Sequence, residues 1–222
     1  VRGPLRQLRT CFPVPATPPA DADATMPARP PPAPGPRRLK DPSRARYVAR
    51  PSTNDARPMP MKTTDLYDRF GEAARVLPPV FQDFGGRDSF SGQVVTVKCF
   101  EDNSRIKELA ATPGRGKVML VDGGGSLRCA LLGDLIAADA VKNGWEGIVI
   151  HGCVRDRAAL CELPLGIKAL AATPRKSLRR SEGQTGLEIV IGGVVCRDGD
   201  RLYADEDGVL LLDAAAASEL GT

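Results

Sequence analysis

An arginine and an aspartate stand side by side at the end of IVIHGCVRD, Ile148 to Asp156, where a strand-like apolar run gives way to a loop. A third ionisable group, Asp134 in GDLIAADA, lies twenty intervening residues before Arg155. If a helix starting at Asp134 descends for about ten residues at ~1.5 Å each, the strand GIVIHG returns the same distance at ~3.3 Å per residue. The loop after that strand then lies near the helix start, at the sheet edge where α/β proteins tend to bind ligands. The backbone N–H groups from Gly133 through Asp134 and Leu135 to Ile136 form the positive end of that helix and suit a carboxylate or phosphate. Arg155 adds bidentate recognition of an anion, and a nearby carboxylate can hold a hard divalent cation that keeps most of its waters. Together these fit 2-oxo acid chemistry, in which a metal stabilises the enolate left when a C–C bond breaks. The plainer alternatives stay open: Asp134 as a helix cap, with Leu135, Ile136, Ala140 and Val141 facing inward, and Arg155–Asp156 as an ordinary surface turn.

The elements that must position these groups read as an α/β alternation from Met61 onward. TTDLYDRFGEAARVL and DNSRIKELAAT have capped, helical patterns, whereas SGQVVTVKCF, KVMLVD, LRCALL, GIVIHG and GIKALAA read as strands. RDRAALCEL is expected to be a short helix. LEIVIGGVVCRDGDRLYADEDGVLLL reads as strand, turn, strand, turn, strand, with RDGD and DEDG as the turns. The glycines of VDGGGSLR invite a phosphate-loop reading, but Arg128 stands where GxGxxG needs its last glycine and no GK[ST] follows, so a tight turn is expected. His151 and Cys153 are read as packing residues, and Trp145 with Glu146 as the turn between helix and strand. The order of elements predicts a single mixed α/β domain, helices on a β core, over 61–222.

Composition narrows the function classes. Residues 1–60 hold eleven Lys and Arg against four Asp and Glu, leaving 31 − 11 = 20 basic and 27 − 4 = 23 acidic residues for 61–222. A domain with net charge −3 is not built around phosphate neutralisation, so no direct nucleic-acid partner is expected. Fifteen of the twenty prolines also fall in residues 1–60, which are expected to be a disordered extension, with Met61 as a natural beginning. No long apolar run predicts a membrane span or a secretory signal. The six cysteines lack a CxxC pair, which suits free thiols and a cytoplasmic location.

The stretches VFQDFGGRDSFSGQVVTVKCFEDN, VMLVDGGGSLRCALLGDLIAADAVKNGWEGIVIHGCVRD and GDRLYADEDGVLLL strongly resemble the RraA-like family. That family unites the regulators of ribonuclease activity A with the metal-dependent 4-hydroxy-4-methyl-2-oxoglutarate aldolases. The resemblance covers Met61 to Asp213 and implies a swivelling β/β/α domain, assembled as a homotrimer with sites between subunits. It implies cleavage of 4-hydroxy-4-methyl-2-oxoglutarate to two pyruvates through a metal-bound enolate, with oxaloacetate decarboxylation as a side activity. Asp156 would be the ligand of a divalent cation, Mg²⁺ or Mn²⁺. Arg155 would contact the substrate's oxo and carboxylate oxygens, and the amides from Gly133 to Ile136 would hold the carboxylate. Asp134 would order the metal's waters, one of which acts as acid or base. The alternative implied by the other branch is a non-catalytic partner of an endoribonuclease of the RNA degradosome. The intact Arg155–Asp156 pair speaks for chemistry.

Overall fold

The structure is a computed structural model that describes residues 61–220, so the expectation of disorder for 1–60 lies outside the described residues. The first half contains α1 (Thr63–Phe70), β1 (Arg75–Val76), β2 (Gln82–Asp83), β3 (Phe90–Lys98), α2 (Ser104–Ala110), β4 (Lys117–Asp122) and β5 (Ala130–Leu132). Then follow α3 (Asp134–Lys142), β6 (Gly147–Val154), α4 (Arg157–Leu160) and β7 (Gly166–Ala172). The last part holds β8 (Gln184–Thr185), β9 (Ile189–Ile191), β10 (Val194–Cys196), β11 (Arg201–Asp205), β12 (Gly208–Leu212) and α5 (Ala214–Ser218).

The main sheet runs β1-β12-β11-β3-β4-β6-β7-β2, with β5 beside β6 and β8 beside β3. Its centre, β3-β4-β6-β7, is parallel, while β11, β12, β1 and β2 pair antiparallel. Unbroken apolar runs such as KVMLVD suit this centre, because parallel strands are covered on both faces. Met119, Val121, Ile148 and Ile150 pack with Ile106, Ile136, Ala137 and Ala140 of α2 and α3. Val118, Leu120 and Val149 face the other way, into a cluster with Ile189 and Ile191 of the separate β9-β10 hairpin. The layers are therefore helices, main sheet and hairpin, the β/β/α order expected of the chain.

Several boundaries differ from the pattern-based expectation. The helix expected over 63–77 stops at Phe70, because Gly71 adopts φ 50° and Arg75–Val76 are recruited as an edge strand against β12. Expected strand 127–132 shrinks to β5, and expected helix 155–163 shrinks to α4. The segment read as one strand, LEIVIGGVVC, is two, since Gly192 and Gly193 at φ 57° and 86° make a two-residue hairpin turn.

Paired glycines fix the close approach of β6 and β7 to the buried ring of Phe90. Gly147 and Gly166 are direct partners, and a Cβ on either would come within 2.3 Å or 2.0 Å of that ring. Gly166→Ala is accordingly expected to lower unfolding stability by about 1–3 kcal/mol, measurable as a lower urea midpoint.

Candidate functional site

Two chain segments reach one edge of the sheet together. β5 runs parallel to β6, Ala130 beside Cys153 and Leu132 beside Val154. The Arg155 N–H donates to the Leu132 carbonyl at 2.9 Å, which pins the end of β6 to the residue preceding Gly133. The chain then enters α3 from β5 and presents Arg155 and Asp156 from β6, so the circuit inferred from spacing closes. Arg155 Nε lies 3.1 Å from Asp156 Oδ2 in an ion pair, with both side chains more than a third exposed.

Gly133 lies where these segments meet, in contact with the Arg155 and Asp156 side chains. A Cβ there would lie 2.7 Å from Asp156 Oδ2 and 3.0 Å from Arg155 Nε, so the pair rests directly against the backbone at the helix start. Gly133 itself is extended, at φ −139° and ψ −178°, so a side chain there would meet the ion pair rather than strain the backbone. Asp156 has the left-handed conformation, φ 59° and ψ 38°, which Asp and Asn tolerate better than most residues. It ends the strand and aims its carboxylate back towards Gly133.

Asp134 does not act as the expected N-cap, because Gly133 holds that position. Its Oδ1 accepts from the Leu135 N–H at 2.8 Å, so the side chain occupies one donor at the positive end of α3. An incoming carboxylate would exchange with it. Leu135 corrects the assignment of an inward face: it is 74% exposed, while Ile136, Ala137 and Ala140 are buried. In the first turn, Leu135 points over the site rather than into the core.

A cavity of about 400 Å³ opens here, lined by Gly133, Asp134, Leu135, Ile136 and Arg155. Its other wall is a segment the sequence reading left without a role: Lys176, Ser177, Leu178 and Arg179, with Asn103 from the start of α2. The run RKSLRR directly after β7 was the available signal, since six residues with four cations are conspicuous in an acidic domain. Asp156 is not among the lining residues and lies beside Gly133 and Arg155.

Asp102 holds that second wall in place. It is buried, and its carboxylate accepts from the backbone N–H groups of Ser104, Arg180 and Glu182. Burial pushes its pKa up, but these hydrogen bonds outweigh burial and hold it below the ordinary 3.8. A folded-state pKa below the unfolded one gives stability that is present above about pH 4 and lost as pH falls through the folded value. The thermal midpoint of the wild type should therefore fall more steeply below about pH 4 than that of Asp102→Asn.

The remaining singled-out residues are structural. His151 packs near Phe81, with ring centroids 6.3 Å apart, and its Nδ1 lies 3.8 Å from Asp122 Oδ1 beneath the glycine loop, away from the cavity. In that loop Gly124 and Gly125 take φ 66° and 67°, as a tight turn requires. Trp145 is buried and its Nε1 donates to the Thr112 carbonyl at 3.0 Å, while Glu146 pairs with Arg87 at 2.9 Å. Cys99, Cys129, Cys153, Cys161 and Cys196 are free thiols, and burial pushes Cys99 up to about 12.

Among the described residues, no three His, Cys, Asp or Glu side chains cluster as a metal-ligand set. The donors at the site fit a different mode of binding. Asp156 offers a partly exposed carboxylate beside Gly133 and Arg155. That arrangement suits a hard ion such as Mg²⁺, held by one carboxylate and largely hydrated.

The model of the RraA-like family, Aldolase/RraA, matches residues 63–211. The chain belongs to the RraA-like family. A relative from Pseudomonas syringae pv. tomato, named "Putative 4-hydroxy-4-methyl-2-oxoglutarate aldolase", is 55% identical over 149 residues, 67% of this chain and 92% of its own length. One from Alkalilimnicola ehrlichii with the same name is 52% identical, covering 69% and 95%. Among solved structures, the RNA-processing inhibitor RraA from Thermus thermophilis is 48% identical at a TM-score of 0.67, covering 69% of this chain and 93% of that one. A Geobacillus kaustophilus structure described as an S-adenosylmethionine:2-dimethylmenaquinone methyltransferase is 42% identical, with a TM-score of 0.68 and coverage of 70% and 98%. This RraA-like chain therefore shares its fold with proteins given three different activities, and its own must be argued from the site. No helix among the described residues is long and apolar enough to cross a membrane.

Proposed function

We propose that this RraA-like chain is a divalent-metal-dependent lyase that cleaves 4-hydroxy-4-methyl-2-oxoglutarate to two pyruvates and decarboxylates oxaloacetate more slowly. The observation that carries the reading is the Arg155–Asp156 pair lying against Gly133 at the start of α3, with Arg155 on the wall of a cavity. The helix amides from Asp134 to Ile136 take the carboxylate of the 2-oxo acid, displacing Asp134 from Leu135. Arg155 donates to the 2-oxo oxygen, where negative charge accumulates as the C3–C4 bond breaks and its electron pair moves into the enolate. Asp134, released, orders water that takes the proton of the C4 hydroxyl, which becomes the ketone of the first pyruvate. Proton return to C3 gives the second. Asp156 would hold the divalent ion, which when bound supplies Lewis-acid stabilisation of the same oxygen. Oxaloacetate yields the same enolate by loss of CO₂, so one site serves both reactions. Sites between subunits of a homotrimer fit the exposure of Leu135 and Leu178, at 74% and 60%, which both line the cavity.

Arg155→Lys tests the reading, because a point charge replaces the planar fork. We expect kcat/KM for pyruvate formation to fall by on the order of 10²-fold with both substrates alike. Unequal or negligible losses would remove Arg155 from the shared step. A second reading, binding and damping of an endoribonuclease, is favoured by the 48% identity to the Thermus inhibitor and by the acidic domain. It gives no reason for Gly133 to be shaped around an ion pair.

A further inference from the structure

The cavity has more positive charge than binding one carboxylate needs. Arg155 and the helix amides suffice for one carboxylate, yet Lys176 and Arg179 also line the cavity, and among the described residues neither forms an ion pair. Only one lining residue, Asp134, is acidic. In a domain with more acidic than basic residues, this local excess of cations is a feature of the cavity itself. Two further observations point to a ligand at that wall. Ser177 is 7% exposed, lines the cavity, and its hydroxyl has no hydrogen-bond partner among the described residues, although buried hydroxyls are nearly always paired. Arg179 is held sideways, its Nε donating to Asn103 Oδ1 at 3.2 Å, and Asn103 is itself 9% exposed and a lining residue. That bond, together with the grip of Asp102 on the next amide along, orients the guanidinium without neutralising it.

We propose that Arg179, positioned by Asn103 and assisted by Ser177, forms a second anion subsite that selects dicarboxylic over monocarboxylic 2-oxo acids. The inference rests on the reading of this cavity as a 2-oxo acid site and names the group that recognises the far end of the substrate. The first carboxylate lies at the α3 start and the second at the RKSLRR wall, so the reacting carbons are held between two charged anchors. Fixing both ends in this way limits the poses in which the scissile bond can break.

Binding and turnover together test this on the full-length chain with Mg²⁺ present. Calorimetric titration would compare 2-oxoglutarate with 2-oxovalerate, which has a methyl group in place of the distal carboxylate. The wild type is expected to bind 2-oxoglutarate about 10- to 100-fold more tightly, and Arg179→Gln to erase that preference while leaving 2-oxovalerate affinity unchanged. Asn103→Ala should reduce the preference in part, since it releases Arg179 without removing its charge. Equal wild-type affinities, or equal weakening of both ligands by Arg179→Gln, would overturn the subsite. Pyruvate release measured alongside separates the two claims: a binding preference without turnover would sink the lyase reading and leave the subsite standing, whereas turnover without a preference does the reverse.

Discussion

Asp156→Asn should abolish pyruvate formation, by at least on the order of 10³-fold in kcat, and leave the fold intact. The argument combines the carboxylate's role with its backbone. At φ 59° this residue pays a conformational cost that Asn meets as well as Asp, because both short polar side chains tolerate the left-handed region. The amide cannot hold a hydrated divalent ion as a carboxylate does, so function is removed without backbone strain. Asp156→Ala removes the same function and should cost about 1 kcal/mol more stability, since Ala has no local compensation in that conformation. Comparing the two variants by urea unfolding and by turnover separates ligand loss from strain. An Asp156→Asn protein retaining more than about a tenth of wild-type turnover would dissociate the carboxylate from the chemistry.

Gly133→Ala is expected to have the second largest effect, through geometry alone. The added methyl group would lie 2.7 Å from Asp156 Oδ2 and 3.0 Å from Arg155 Nε, so the ion pair must swing away. Both obstructing atoms belong to flexible, partly exposed side chains, and the backbone at φ −139° accepts any residue. Stability should therefore change by about 1 kcal/mol or less, mostly from a poorer helix N-cap. Displacing Arg155 and Asp156 by about 1 Å should reduce kcat/KM by roughly 10²-fold. A variant with wild-type kinetics would show that the closeness of the pair to the helix start is immaterial.

Much of this arrangement was legible in the sequence, for identifiable reasons. The meeting of the α3 start with the end of β6 follows from the rise per residue of one helix and one returning strand, both strongly patterned. The apolar runs of β4 and β6 likewise announce a covered parallel sheet. What was misread depended on long-range contacts or on single backbone torsions. Leu135 fits a helical apolar stripe, but in the first turn of α3 it is exposed at the cavity. Arg75 and Val76 continue a helical pattern, yet Gly71 breaks the helix and β12 offers them a partner. The sequence assigns the RKSLRR run no role, since it is Asp102, 78 residues earlier, that fixes the Arg180 amide and Asn103 that turns Arg179. Local periodicity carries no trace of that link.

The most direct test of the central claim is the pyruvate yield from 4-hydroxy-4-methyl-2-oxoglutarate, measured for the wild-type chain with Mg²⁺ or Mn²⁺ and again after chelation. The cavity, the Arg155–Asp156 pair and the helix start together predict two pyruvates per substrate consumed and loss of turnover on chelation. No pyruvate above the background of the free ion would contradict the lyase assignment and leave ribonuclease binding as the function to pursue.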